Sequence, residues 1–282
     1  MNKLLAILLV CASVALGQTP DAPPPVRLAI VGLVHDHVGG LLPQLPMRQD
    51  VQLVGIVEDN PELVTKYANQ YQLDRSLFFP TIDALVAKTK VDAVATFTST
   101  FDHLKVVQAC APLGIHVMME KPLAVSMEHA RGIASAAQGK IQIIVNYETT
   151  WYPSVRRARD LVEKRHVIGD LRKIVVCDGH WGPKAIGCSP YFLSWLTDPK
   201  LDGGGALMDF GCYGADLVTW LMDGRPPTSV LAVTQNFQPE VYTKVEDEAT
   251  IILTYPKTQA IIEASWNWPH GRKDMEIFGE SG

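Results

Sequence analysis

From residue 26 onward, the hydrophobic positions alternate between two patterns. Short apolar runs at residues 26–31, 51–57, 93–97, 116–119 and 142–146 read as strands buried on both faces. Between them lie stretches with the three-to-four-residue spacing of helices: 62–71, opened by Pro61; 82–88; 102–113, closed by Gly114; and a run from a Ser126 cap to about 138. Buried strands separated by helices of this length predict a parallel, doubly wound sheet. Residues 26–147 are therefore expected to form a Rossmann-type α/β domain.

The pattern then changes. Residues 153–164 read as an amphipathic helix with Val155, Ala158, Leu161 and Val162 at helical spacing. After Gly169, the runs at 171–181, 230–236, 248–255, 259–266 and 275–278 alternate or are β-branched, as an antiparallel sheet requires. Residues 148–282 are expected to form a second, α+β domain with a mostly antiparallel sheet.

Ahead of both domains, residues 1–17 carry one early lysine, an apolar core and small residues before Gln18, the pattern of an export signal. Residues 18–25 form a proline-rich spacer. A periplasmic or secreted location is expected. The apolar core is too short for a stable membrane span, and Val10 before Cys11 disfavours lipid attachment. A net charge of −5 with no basic cluster argues against a nucleic-acid partner. Cys110, Cys177, Cys188 and Cys212 show no disulfide or zinc spacing, so buried free thiols are expected.

Three stretches carry chemistry. Gly32-Leu33-Val34-His35-Asp36-His37 occupies the place of a dinucleotide-binding fingerprint, with Gly32 as its first glycine but Val34 and His37 where the second and third belong. Glu58 follows at the tip of the second strand, where a carboxylate binds ribose hydroxyls and repels a 2′-phosphate, favouring NAD over NADP. His35 and His37 are two apart, but no third ligand is identifiable, so no metal is expected. The second stretch is Glu120-Lys121-Pro122, at the end of a buried strand, where ligands bind in open parallel sheets. The third is Gly203-Gly204-Gly205, followed by a predicted helix to about residue 222. On it, Asp209 and Tyr213 share one face, with Asp216 a turn further.

Together, the 93–97 strand, His103, residues 114–117 and Glu120-Lys121-Pro122-Leu123-Ala124 resemble the Gfo/Idh/MocA oxidoreductases, the glucose–fructose oxidoreductase and inositol dehydrogenase group. The resemblance runs from Val26 to the last residue. It implies that Glu120, Lys121 and Pro122 edge a nicotinamide pocket, with Lys121 catalytic and the Lys121–Pro122 bond cis, and that Ser99 and His103 lie by the cofactor. It also assigns Asp209 and Tyr213 as substrate-contacting catalytic residues. Tyr213 stands where histidine is common, and as a base its phenol would need a cation such as Lys121 nearby. Thr149-Thr150 replaces an arginine pair of relatives, and relatives continue past residue 282, so a truncated second domain with an open edge at Phe278 is expected. The resemblance also implies a homo-oligomer paired through the open face of the second domain's sheet, as family members often are.

The expected activity is hydride transfer between NAD and a small carbohydrate or polyol. Two other readings stay open: an NAD-dependent glycoside hydrolase of the same fold, and a non-catalytic nucleotide- or sugar-binding protein.

Overall fold

The computed structural model describes residues 23–282; the leader and most of the spacer lie outside the described residues. The first domain contains β1 (Val26–Val31), α1 (Val38–Leu41), β2 (Val51–Val57), α2 (Pro61–Tyr71), β3 (Phe78–Phe79), α3 (Ile82–Val86), β4 (Ala93–Thr96), α4 (His103–Cys110), β5 (His116–Met119), α5 (Met127–Ala137) and β6 (Ile143–Val145). Its six strands run in the order β3-β2-β1-β4-β5-β6, and all pair in parallel.

Successive residues of β1 serve opposite layers, which explains its unbroken apolar run. Ala29 and Val31 pack with Val94, Val106 and Val117, while Ile30 packs with Ile56, Leu63 and Tyr67. Local signals set the helix ends. Asn60 accepts the Glu62 N–H before Pro61 at the first helical position, Ser126 accepts from His129, and Gly114 takes φ 69°.

Two details depart from expectation. The two-residue β3 is too short to leave a periodic signal. The helix opening from the glycine turn amounts to the single turn of α1, because Gly39-Gly40 weakens it and Pro43 and Pro46 cannot supply helical N–H groups.

The second domain comprises α6 (Pro153–Arg159), β7 (Leu171–Gly179), α7 (Pro190–Leu196), α8 (Ala206–Asp209), α9 (Gly211–Leu221), β8 (Ser229–Gln235), β9 (Glu248–Thr254), β10 (Gln259–Ser265) and β11 (Arg272–Gly279). Its sheet order is β11-β7-β10-β9-β8. The β7–β10 pair is parallel and the other three are antiparallel. The sheet is therefore mixed but mostly antiparallel, and β11, with Phe278, forms one edge among the described residues.

Helix α9 covers one sheet face through Leu217, Val218 and Leu221. On the other face, Leu231, Ile252, Ile261 and Val175 stand in register across four strands. Helix α7 left no signal that was read from the sequence, yet it joins the domains. Ser189 donates its N–H and hydroxyl to Asp36 at 2.7 and 2.6 Å, and Trp195 Nε1 donates to the Val34 carbonyl at 3.4 Å. Among the described residues, no helix is long and apolar enough to cross a membrane.

Candidate active site

The parallel sheet delivers Lys121 just beyond the end of β5, and the Lys121–Pro122 peptide is cis. The ammonium forms an ion pair with the Asp209 carboxylate and donates to the Asp209 carbonyl at 3.3 Å. The second Asp209 oxygen accepts the Trp266 Nε1–H at 2.9 Å, and the Tyr213 ring centre lies 5.5 Å from Lys121 Nζ. The three predicted catalytic groups thus converge. They do so across a break rather than along one helix: Asp209 ends α8, Tyr213 lies in the first turn of α9, and Phe210 stands between them. Asp216 points elsewhere and accepts from Thr150 Oγ1 at 2.7 Å.

Burial on its own would lower the Lys121 pKa. Asp209 outweighs burial and holds it well above the usual lysine value. Burial likewise opposes ionisation of Asp209, but Lys121 and the Trp266 N–H keep it below the usual carboxylate value. Burial pushes the Tyr213 phenol well above its ordinary pKa, and Lys121 offsets only part of that rise. Lys121 is the cationic neighbour that a basic Tyr213 would need, but its offset is smaller than the effect of burial, which favours the protonated phenol. Lys273 lies 4.4 Å over the same ring and is paired with Glu148.

At the C-terminal ends of β1, β2 and β4, where the strand order reverses, a cavity of about 570 Å³ is lined by Gly32, Val34, Glu58, Thr98, Asp102 and Lys105, among others. Gly32 adopts φ +82°, and a Cβ there would sit 2.6 Å from Thr98 Cγ2. A side chain is excluded at that turn. The Glu58 carboxylate is fixed by the Leu33 and Asn60 N–H groups, both at 2.9 Å, while burial raises its pKa. These residues fit the adenosine half of a dinucleotide: a turn without a side chain at Gly32 would take the phosphates, and the anchored acid would meet ribose hydroxyls.

The remaining predicted cofactor residues are placed as follows. Leu33 is in the core, and its N–H serves Glu58. His35 lies outside the lining of that cavity, under α7, with its ring 4.6 Å from Phe192 and 5.3 Å from Trp195. Burial holds its pKa well below the ordinary histidine value. Ser99 Oγ donates to Asp102 at 2.8 Å. His103 is buried and set by the Leu123 carbonyl at 3.2 Å, and burial lowers its pKa to about 4. Pro122 is buried beside Lys121.

Glu120 bridges His37 Nδ1 at 3.1 Å and Asn146 Nδ2 at 3.0 Å. It therefore brings a third potential ligand to His35 and His37, with one atom of each within 4.8 Å of the others. The sequence did not reveal this because Glu120 lies 83 positions from His37. Within the cluster His35 Nδ1 accepts the His37 N–H at 3.2 Å, while His35 Nε2 finds no partner among the described residues. Sequence reasoning also missed Trp266, Asn146 and Asp178. For Asp178 a signal existed, since an acid shares the inward register of Ile174 and Val176 on β7.

Two family models match the chain. Residues 26–147 match "Oxidoreductase family, NAD-binding Rossmann fold", and residues 155–282 match the GFO/IDH/MocA C-terminal domain. Among curated proteins, the chain is 28% identical to trans-1,2-dihydrobenzene-1,2-diol dehydrogenase of Xenopus laevis, over 77% of this chain and 61% of that one. It is 23% identical to D-xylose 1-dehydrogenase [NADP(+)] of Haloarcula marismortui, over 92% of this chain and 71% of that one. The chain thus spans about three fifths of the diol dehydrogenase's length. Among solved structures, GenD2 from gentamicin A biosynthesis, in complex with NAD, superposes with TM-score 0.80 at 24% identity, covering 92% of this chain and 71% of that one. Aldose-aldose oxidoreductase from Caulobacter crescentus, complexed with glycerol, superposes with TM-score 0.76 at 23% identity, covering 91% and 75%. These two superpositions bear on the fold.

Proposed function

The chain belongs to the GFO/IDH/MocA oxidoreductase family, and on that premise we propose that it moves a hydride between a bound nicotinamide cofactor and a carbon of a small sugar, polyol or cyclic diol. One observation carries the proposal: Lys121, Asp209 and Tyr213 come from two domains to a single point beside the strand tips that hold the nucleotide cavity.

A bound nicotinamide would supply the hydride chemistry, and the protein manages the proton. Lys121 and Tyr213 both carry theirs at rest, so in the reducing direction one of them gives its proton to the developing alkoxide oxygen while the other hydrogen-bonds it. Asp209 keeps Lys121 charged and oriented, and Trp266 fixes Asp209. In the oxidising direction Lys121 must first lose its proton, so alcohol oxidation is expected to accelerate as pH rises through the alkaline range.

We assign NAD as the cofactor over NADP, although one relative's name specifies NADP(+). Glu58, Asp59, Asp83 and Asp102 face the cavity against the single cation Lys105, an acidic lining unsuited to a 2′-phosphate. We also propose, from the leader pattern, a location outside the cytoplasm and, from the Leu231–Ile252–Ile261–Val175 face, pairing of copies; N-terminal sequencing and light scattering test these two points.

The decisive experiment mixes the protein with NAD or NADP and a panel of aldoses, polyols and cyclic diols, and follows nicotinamide absorbance. NAD-dependent turnover that disappears in Lys121→Ala while nucleotide binding persists is the expected result. Failure to bind either nucleotide overturns the proposal.

A further inference from the structure

A cavity of about 680 Å³ opens at the end of the second domain remote from Lys121. All of its lining residues belong to that domain. Leu221, on its wall, lies two turns beyond Tyr213 on α9, about 12 Å along the axis. Leu171, also on the lining, starts β7, whereas Asp178 stands near the other end of that strand. The volume falls within the usual range of small-molecule sites, about 300–1,000 Å³.

The backbone around the cavity is irregular. Glu163 sits in a π-helical turn, Asp160–Lys164, that follows α6, a form frequent at functional sites. Three non-glycine residues among the described ones take a left-handed φ, and two of them, His166 at 48° and Asp223 at 55°, line this cavity. Such conformations persist where the surroundings over-determine them, and they gather at ligand clamps.

The floor is apolar, with Val162, Leu221, Met222 and Tyr255 buried. The ionic groups around it are only partly matched by the protein itself. Glu163 Oε2 accepts from Arg159 Nε at 2.6 Å, and Lys257 pairs with Asp170 at 3.4 Å. Three groups are left over. Glu163 Oε1 is buried with no hydrogen-bond partner among the described residues, and neither Arg225 nor Asp223 has an ion-pair partner among them. Arg225 Nε donates to the Met222 carbonyl at 2.9 Å, which fixes the guanidinium and leaves its other N–H groups to a ligand.

An unmatched cation, an unmatched carboxylate and an orphan acceptor call for a ligand that carries both signs. A simple anion would meet Asp223 and Glu163, and a simple cation would meet Arg225; a zwitterion answers each group and brings no net charge. We propose that this cavity binds a free α-amino acid with an apolar side chain. Its carboxylate faces Arg225, its ammonium faces Asp223 and Glu163 Oε1, and its side chain lies on the apolar floor. The site stands independently of the hydride-transfer reading, because binding there involves no nucleotide and no turnover.

L-Phenylalanine is the probe, titrated into the full chain by isothermal calorimetry without nucleotide. The comparisons are 3-phenylpropionate, which lacks the ammonium, and 2-phenylethylamine, which lacks the carboxylate. L-Phenylalanine should bind at least about tenfold more tightly than either, the factor carried by one charged hydrogen bond. Arg225→Gln should weaken L-phenylalanine at least about tenfold and leave 2-phenylethylamine unchanged or tighter. Asp223→Asn, which keeps the tolerance of a left-handed backbone, should weaken L-phenylalanine at least about threefold and leave 3-phenylpropionate unchanged or tighter. Circular dichroism confirms that both variants fold. Either comparison compound binding as tightly as L-phenylalanine, an unchanged L-phenylalanine affinity in both folded variants, or no detectable L-phenylalanine binding by the parent would each overturn the assignment. Loss of hydride transfer alone leaves it standing.

Discussion

Lys121 shows how much of this site a single residue type could announce. A lysine before a proline at a strand tip was legible, because chain direction in a parallel sheet sends that tip to the ligand crevice. Its charge state was not, since that depends on Asp209, 88 residues away. The pairing yields two expectations. Lys121→Ala should lose about 10²–10⁴-fold in turnover, the usual worth of a positioned proton-transfer group, with nucleotide binding retained in fluorescence titrations. The same change strands a buried carboxylate and should destabilise the fold by about 3–5 kcal/mol in urea unfolding; adding Asp209→Leu should recover part of that loss, because the unpaired charge goes with it. Glu58 belongs at this scale too. Removing a charged acceptor of ribose hydroxyls in Glu58→Ala should weaken NAD binding by about ten- to a hundredfold in calorimetry.

At the level of elements, long signals were read correctly and short ones were lost. The buried runs of β1, β2 and β5 match their observed ends residue for residue, because packing on both faces demands continuous apolar sequence. The helix expected after Gly205, running to about 222, is instead two helices that meet at Phe210; at its start Ala206 N–H bonds the Glu246 carbonyl and Gly205 lies directly against that backbone. No periodicity in the segment reports a carbonyl arriving from the loop before β9. Gly205→Ala should therefore force backbone apart and lower stability by about 1–3 kcal/mol. Gly40→Ala, with nothing within 4 Å of its added Cβ, should change it little; thermal unfolding of the two variants side by side checks the contrast.

For the whole molecule, buried ionisable groups set the pH response. Burial lowers His103 to about 4. The unfolded chain therefore holds a proton that the folded one does not, and stability rises with pH until the ordinary histidine value near 6.5 is passed. Burial raises both Asp178 and Asp202 to about 8. There the folded state keeps protons that the unfolded chain releases above about 3.8, so stability falls until about pH 8. Between pH 6.5 and 8 only the acids still act, and unfolding free energy should decline by up to about 1.4 kcal/mol per pH unit for each of them. Urea titrations at pH 6.5 and 8 measure the decline, and Asp178→Asn with Asp202→Asn should flatten it.

The division between chain and fold follows from the range of the forces involved. Strand and helix periodicity, the glycine turn, the caps and the strand-tip lysine are local, so the sequence alone determined the two sheets, their order and the identity of the three groups that meet at Lys121. Distances between residues far apart in the chain are settled only when the domains pack. Tertiary structure alone therefore decided that Asp209 keeps Lys121 charged, that burial keeps Tyr213 protonated, that Glu120 joins His37, and that α7 seals the glycine turn. Desolvation and through-space charge depend on which surfaces meet, and no stretch of sequence carries that information by itself.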